Sequence, residues 1–424
     1  MSLRFIVVGL AALATLTVFA GMASAQDGPP GPSAGTVLVS DLIAPRGMVV
    51  GPDGLIYVAE AGTGGDTEFV TPSGETVNNG FTGRISSIDP ETGERTTLAE
   101  GLPSQRLEMG DQIGPADVAF IGSALYYLQT HGGEHYGFPD NPTGIYRVQS
   151  NGTVDLVADI GQFNIDNPVA AIGSGAQPDV EVGGNPYSMI VRDGQFYVSD
   201  GNHNRLLEVT TGGDVSEIVE FPDHPVSTGI AQTTSGPFLV GYLGRGPFLP
   251  DDGRVVSVSP AGTITEIARG VPMITDVEVG TGGQRYALSF ADGFAPFTGS
   301  VQRINADGTM TTIVAGLTFA TDMIFIGDTL YVTDDGLSAL GPGELIAIEN
   351  FSAVQPPAPA PTAAPTQGAP APTPTVGTGV TAPDTGSGGY TDSSGGATTI
   401  VVAIALAVAA AAASGLAALA WKRR

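Results

Sequence analysis

Apolar residues recur along this chain in short runs separated by turn residues, and one such unit repeats from residue 44 to residue 351. Each unit opens with a short apolar strand, which a Gly or Asp-Gly turn joins to a second, apolar and aromatic strand. A third strand alternates between apolar and polar residues, as at residues 253–258, and a fourth is polar and rich in Thr, Val and Ile. Four strands in every repeated unit predict an all-β fold of the β-propeller type.

The residue that begins the second strand marks the number of units. Its last four copies recur roughly every 40 to 50 residues, the spacing of propeller blades, whereas the two earlier steps are longer and contain insertions. The six marker positions are Tyr57, Tyr126, Tyr197, Leu239, Tyr286 and Tyr331. Seven blades would require a unit hidden in an insertion, and neither insertion carries a second strand-turn-strand pattern.

The two ends of the repeat region complement each other. The sixth unit stops at its third strand, residues 343–348, and a matching fourth strand is present at residues 35–40. An N-terminal strand that completes the last blade closes the ring and leaves no open sheet edge. We therefore predict a six-bladed β-propeller over residues 35–351, closed by an N-terminal strand.

The N-terminus has the pattern of a secretory signal. Arg4 supplies the positive charge, residues 5–20 are apolar, and Ala23-Ser24-Ala25 resembles a cleavage site. The sequence thus predicts a signal peptide over residues 1–25 and an exported mature chain, with an uncleaved anchor as the alternative.

The C-terminus has the pattern of a membrane anchor. Residues 400–420 are uncharged and would span about 31 Å as a helix, which matches the hydrocarbon core of a bilayer. Trp421 suits the membrane interface, and the basic tail at residues 422–424 favours the cytoplasmic side. We predict one transmembrane helix over residues 400–421, with the propeller outside the cytoplasm at the cell surface or in the periplasm.

Residues 352–399 consist mostly of Pro, Ala, Thr, Gly and Ser and predict a disordered stalk, extended in its proline-rich half. The pentapeptide at residues 382–386 (Ala-Pro-Asp-Thr-Gly) resembles a cell-wall sorting signal, although it has Ala where such signals usually have Leu. Both a plain linker and a sorting signal remain open.

Composition narrows the classes of partner. The chain carries 43 Asp and Glu against 16 Lys and Arg, a formal net charge of −27, so it repels phosphate backbones and nucleic-acid binding is disfavoured. An acidic surface also keeps a protein soluble, which fits a monomeric ectodomain. Cysteine is absent, which excludes thiol chemistry.

The start of each first strand is the strongest candidate site, because these positions approach one another around the axis of a propeller. Three of the six carry a carboxylate: Asp117, Asp276 and Asp322. Oxygen ligands of this kind suit calcium or magnesium, so the sequence predicts a metal site, with Ca²⁺ as the candidate cofactor. The alternative is that the aspartates accept hydrogen bonds from nearby backbone N–H groups.

Two other patterns were weighed. A second ring, at the ends of the second strands, contains Asp200, which we expect to secure a turn rather than to bind a ligand; its members are Glu60, Gln129, Asp200, Tyr242, Phe290 and Asp334. Residues 131–135 have the H-x-x-E-H spacing of some zinc proteases, but Gly132 and Gly133 disfavour the helix that such a site needs. We therefore expect residues 131–143 to form a loop on one face of the disc.

The third unit resembles an NHL repeat, through Asn185-Pro186, Asp193-Gly194, residues 197–200 and Asn204-Arg205. The whole region 35–351 resembles ScyD/ScyE-type secreted proteins, on the segments 114–120, 185–187 and 274–279. That resemblance implies an exported propeller and brings no catalytic residues with it.

Three hypotheses for function follow. The first is a surface-anchored binding or scaffold module that presents the loops 62–82, 131–143 and 163–184 to a protein or a cell-envelope polymer. The second is a calcium-dependent hydrolase or lactonase of the propeller type, which requires Asp117 or Asp276. The third, the weakest for lack of basic residues around the channel, is an oxidoreductase with a quinone-type cofactor.

Overall fold

A computed structural model describes residues 35–354, apart from residues 73, 108–109, 171–180, 234–235, 245–251, 292–297 and 338–341. The predicted signal peptide (1–25), transmembrane helix (400–421) and basic tail (422–424) lie outside these residues, as does the linker from residue 355 onward. None of the helices in the described part is long and apolar enough to cross a membrane.

The described chain forms six antiparallel sheets, each with four strands in the order in which they follow one another from the axis outward. Blades 1 to 3 contain β2 (Pro45–Val50), β3 (Ile56–Glu60), β5 (Thr76–Ile88) and β6 (Arg95–Leu107); β8 (Pro115–Ile121), β9 (Ala124–Gln129), β10 (Gly144–Val148) and β11 (Val154–Asp159); and β12 (Pro186–Arg192), β13 (Gln195–Asp200), β14 (Arg205–Val209) and β15 (Val215–Glu220). Blades 4 to 6 contain β16 (Ser227–Gln232), β17 (Phe238–Tyr242), β18 (Arg254–Val258) and β19 (Ile264–Arg269); β20 (Ile274–Val279), β21 (Arg285–Ser289), β22 (Thr298–Ile304) and β23 (Met310–Thr318); and β24 (Asp322–Ile326), β25 (Thr329–Asp334), β26 (Gly343–Ile348) and β1 (Thr36–Leu42).

The ring closes as the sequence predicts. Strand β1 is the outermost strand of the last blade and pairs antiparallel with β26, with Thr36 opposite Ala347 and Leu42 opposite Gly343. The innermost strands also contact one another in a closed circle, from β2 through β8, β12, β16, β20 and β24 back to β2. The six sheets are therefore the blades of a single β-propeller.

The core lies between the blades. In the described residues, each of the six blade interfaces has its own cluster of buried apolar side chains. The tyrosine that begins a second strand explains its own recurrence: Tyr57 packs edge-on against Phe120 of the next blade at 4.7 Å between ring centroids, and Tyr126 packs against Phe196 at 4.9 Å. Leu239 takes this place in blade 4, within the cluster shared with blade 5. Such aromatic contacts add to the area buried between neighbouring sheets.

The two faces of the disc differ. Because antiparallel strands alternate in direction, the connections between second and third strands and between blades emerge where the inner strands begin; we call this end the loop face. The other end, the turn face, carries only the tight turns between first and second and between third and fourth strands, such as residues 51–55 and 193–194. The loop face carries the long segments at residues 61–75, 130–143 and 160–185. Ligand contacts are therefore expected there.

Blade 1 extends beyond the predicted four strands. Residues 62–82, predicted as a loop, contain β4 (Thr67–Val70), which pairs with the first half of β5, and β6 also pairs with the short strand β7 (Gln112–Ile113). The extension rises above the loop face because β5 and β6 continue as a hairpin past the blade, with Asn79 opposite Gln105. The period-two pattern of residues 67–70 and 76–79 fits strands, and their partner strands lie within the same segment.

Candidate functional site

The start of each inner strand deviates from regular pairing. In blades 1 to 5 the register between the first and second strands shifts at this point, as between Pro115 and Asp117 or between Ile274 and Asp276. Bulges of this kind redirect side chains and are common beside functional sites. They turn the six ring positions and the residues before them toward the mouth of the central channel.

The three predicted aspartates occupy equivalent places, and each accepts a hydrogen bond from the inner strand of the next blade. The backbone N–H of Met189 donates to Asp117 Oδ2 at 2.6 Å, and that of Met323 donates to Asp276 Oδ2 at 3.1 Å. At the closing interface, the N–H of Met48 donates to Asp322 Oδ2 at 2.6 Å. Each aspartate thus joins two blades next to the axis.

Glycine at two ring positions makes room for these contacts. A Cβ atom on Gly47 would lie 2.1 Å from Asp117 Oδ1, and one on Gly229 would lie 2.4 Å from Asp276 Oδ1. The glycine of one blade is therefore required by the aspartate of the next.

Enclosure makes these carboxyl groups weak acids. Burial raises the pKa of Asp117 to about 7, although hydrogen bonds from Met189, Val118 and Ser188 act in the opposite direction. Burial also raises the pKa of Asp276 and of Asp322 well above the ordinary value, and the two side chains share a hydrogen bond across the interface of blades 5 and 6. A carboxyl pair that shares a proton can accept, hold or donate that proton near neutral pH.

The structure therefore brings the three aspartates to one ring, and it gives each of them a backbone donor. These hydrogen bonds support the capping role, except that the donors belong to inner strands rather than to loops. No group of three His, Cys, Asp or Glu residues within the described ranges is arranged to hold a metal ion. Calcium binding by these residues stays a prediction.

Threonines reinforce the same interfaces. The residue before the ring position is Thr in blades 4, 5 and 6, and each hydroxyl donates to a carbonyl of the following blade. Thr228 donates to Ile274 O at 2.7 Å, and Thr321 donates to Pro45 O at 2.8 Å. The inner wall of the ring is thus fixed by polar contacts as well as by apolar packing.

The second ring is structural where it is acidic. Asp200 accepts from the N–H groups of Asn185, Asn202 and His203 at 3.0 to 3.1 Å, which secures the turn before Asn204 as expected. Glu60, fully buried, forms an ion pair with Arg84 at 2.6 Å. Asp334 accepts from the N–H of Thr318 at 2.8 Å, and burial raises the pKa of Asp334 to about 7.

The H-x-x-E-H segment is not helical in the way that a zinc site requires. Residues Glu134–Tyr136 form a single 3-10 turn, and Gly133 and Gly137 on either side have positive φ angles. His131 does not pair with His135. It instead stacks on Tyr136 at 4.3 Å between ring centroids, and its Nε2 atom lies 2.9 Å from Glu181 Oε2.

A buried polar network holds this segment against the extension of blade 1. Gln105 Nε2 donates to Asn79 Oδ1 and to Tyr136 O, both at 2.9 Å, so Gln105 Oε1 is left to accept from His131 Nδ1 at 2.9 Å. The hydroxyl of Tyr136 donates to Glu181 Oε2 at 2.9 Å. Burial by itself raises the pKa of Glu181, but the opposing His131 and the hydrogen bonds outweigh it and lower that pKa. We call this assembly, namely β4, β7, residues 76–79, 104–107, 131–143 and 181–184, the platform.

Large apolar side chains are exposed on the platform. Val70 and Phe81 are each 58% exposed, and Val182 is 38% exposed. The ring of Phe81 also contacts the buried ring of Phe138 at 5.5 Å between centroids, so one edge of it is supported from below. An apolar surface on a rigid polar support is typical of a binding face.

Sequence reasoning missed the platform network, since Asn79, Gln105 and Glu181 belong to no motif and lie in three different segments. A signal existed for the long irregular insertions themselves, which were identified as candidate binding loops.

Comparison with known proteins supports no family. No protein-family model and no curated protein matches this sequence, so the resemblance to ScyD/ScyE-type proteins stays a prediction. Solved structures similar to this chain include a PQQ-bound aldose sugar dehydrogenase from Streptomyces coelicolor, with 13% identity over 75% of this chain and 99% of that one and a TM-score of 0.48. A gluconolactonase from Xanthomonas campestris has 12% identity over 75% and 98% of the two chains, with a TM-score of 0.41. A virginiamycin B lyase from Staphylococcus aureus has 12% identity over 72% and 95%, with a TM-score of 0.42. Likenesses this distant carry no argument about activity, and the propeller assignment stands on the sheet topology.

Proposed function

We propose that this chain is an exported, membrane-anchored propeller that binds a protein or a cell-envelope polymer on its loop face, through the platform. The observation that carries the proposal is the exposure of Val70, Phe81 and Val182 on a support of buried hydrogen bonds. A surface held in this way loses little conformational freedom when it binds, which favours affinity. The ScyD/ScyE resemblance, which implies export without catalytic residues, agrees with a binding role.

Site-specific photo-crosslinking in the cells that produce the protein tests the proposal. A photoreactive phenylalanine analogue replaces Phe81 in the full chain, and the same analogue replaces Leu156, an exposed apolar residue on the outer strand β11, as the matched control. We expect a discrete adduct from position 81 and none from position 156. Equal adducts at both positions, or none at position 81, would contradict binding through the platform.

The calcium-dependent hydrolase or lactonase is the alternative prediction. It requires the ring of aspartates to bind the ion and so to exchange backbone donors for a metal. Calorimetric titration of the wild type and of Asp276→Ala with calcium distinguishes the two roles. Saturable heat in the wild type alone would favour a metal site, whereas no binding in either protein would leave the capping role.

A further inference from the structure

Two residues beside the aspartate ring differ in kind from their counterparts in the other blades. The position before the ring residue is Thr in three blades and Ala116 in blade 2, all small side chains. In blades 1 and 3 the same position holds Arg46 and Tyr187. Both lie at the register shift that opens their strands, and both are enclosed by protein but partly exposed. They therefore line the mouth of the central channel.

Arg46 is a cation without a matching anion. One nitrogen, Nη2, donates to the backbone carbonyl of Gln112, across 66 residues of sequence. Within the described ranges, no carboxylate oxygen forms a salt bridge with it; Asp111 acts on it electrostatically without approaching that closely. An enclosed guanidinium in this position retains N–H groups that can bind a carboxylate in a bidentate manner.

Unsatisfied acceptors lie on the other side of the same place. Asp111 Oδ1 and Gln112 Oε1 are buried and receive no hydrogen bond from any residue that the structure describes. Gln112 is only 5% exposed, so water satisfies it poorly. Tyr187, whose hydroxyl has no described partner, is influenced by Arg46 and by the three aspartates together. The mouth of the channel thus presents donors on one side and acceptors on the other.

We propose that Arg46, Tyr187, Asp111 and Gln112 form a binding site for a small zwitterion, a molecule that carries one carboxylate and one ammonium group, such as an amino acid. The carboxylate pairs with Arg46 and accepts from Tyr187, and the ammonium group donates to Asp111 Oδ1 and Gln112 Oε1. Net charge supports a zwitterion over an anion, because a chain with a formal charge of −27 repels anions and leaves a neutral molecule unaffected. This site is separate from the platform and does not depend on the proposed function.

Calorimetric titration of the full-length chain in detergent micelles with each of the common L-amino acids tests the site. We expect at least one amino acid to bind with saturable heat. Its analogue without the amino group and its analogue without the carboxylate should both bind more weakly. Arg46→Gln should weaken binding about tenfold or more, the effect of losing a charge-assisted pair. Arg106→Gln removes the same charge from an exposed residue of the same face and should bind like the wild type.

Tyr187→Phe keeps the test decisive if Arg46→Gln fails to fold, since it removes only a hydroxyl. It should weaken binding several-fold while the circular dichroism spectrum stays that of the wild type. The proposal is overturned if no amino acid binds the wild type. It is also overturned if Arg46→Gln and Tyr187→Phe both fold and bind like the wild type.

Discussion

At the scale of single residues, the molecule uses carboxylates as connectors between neighbouring blades. Asp117, Asp276 and Asp322 each bind the backbone of the following inner strand, and the buried position of each raises its pKa. A carboxyl group whose pKa is higher in the folded than in the unfolded chain stabilises the fold below its unfolded pKa. That contribution is lost as the pH rises through the folded pKa.

The stability of the propeller should therefore fall between pH 4 and pH 8. Asp117 alone, with a pKa of about 7 against an ordinary 3.8, accounts for a decrease on the order of 4 kcal/mol at most. Denaturant unfolding at pH 5 and at pH 8 measures the difference. Asp117→Asn does not titrate, so its free energy of unfolding should change less with pH than that of the wild type. An equal or steeper decrease in the variant would refute the assignment.

The residue scale is also where sequence reasoning was weakest. The equivalence of the three aspartates followed from the repeat, because position within a repeated unit fixes position around an axis. Their partners did not follow, since the direction of a side chain at a bulge depends on the strand beside it, and that strand is up to 287 residues away in the related Thr333–Arg46 contact. The counterpart residue Arg46 could have been found by aligning the units, because Thr is the common residue at its position.

At the scale of elements, the strand β1 carries the closure of the ring. Val39 is 7% exposed and packs in the cluster between blades 6 and 1, whereas Val37 of the same strand is 45% exposed. Residues of one strand thus differ sharply in what they contribute, as alternation on a half-buried strand requires.

Paired substitutions in β1 test this difference. Val39→Ala leaves a small cavity between the two terminal blades and should lower the free energy of unfolding by about 1 to 3 kcal/mol. Val37→Ala should change it by less than about 0.5 kcal/mol. Denaturant unfolding of both variants gives the comparison. Equal effects at the two positions would show that β1 does not pack as the last strand of blade 6.

The platform is the second element whose integrity can be tested separately. Gln105→Ala removes the bonds to Asn79, Tyr136 and His131 at once and leaves buried groups unsatisfied, at about 1 to 3 kcal/mol for each such group. We expect amide hydrogen exchange to accelerate in residues 131–143 and 181–184 and to stay unchanged in blades 4 and 5. Gln149→Ala, which removes one exposed side-chain bond, serves as the control. Faster exchange throughout the molecule would mean that the platform is not a separate unit.

The insertions illustrate what periodicity can and cannot predict. Repeated units gave the six blades, their strand order and the closing strand, because each of these is encoded in every copy. The extension of blade 1 was missed, since β4 and β7 occur once and their pairing has no second copy against which to recognise it. A sheet that continues past its blade looks like a loop when only the repeated part is aligned.

At the scale of the whole molecule, acidity dominates. The formal net charge of −27 produces self-repulsion in the compact state, which dissolved salt screens. The melting temperature should therefore rise when sodium chloride is increased from low to moderate concentration at pH 8. It should rise less at pH 5, where the buried carboxyl groups carry protons. A melting temperature that falls with added salt at pH 8 would contradict this view.

The ring itself is the central claim, because the loop face, the platform and the channel site all depend on it. Thr36 and Ala347 are opposite each other in the pairing of β1 with β26, and the natural chain has no cysteine that could compete. The double variant Thr36→Cys/Ala347→Cys should form an intramolecular disulfide on mild oxidation and gain about 2 to 4 kcal/mol in the free energy of unfolding. Disulfide-linked dimers, or two free thiols after oxidation, would show that the ends of the propeller do not meet.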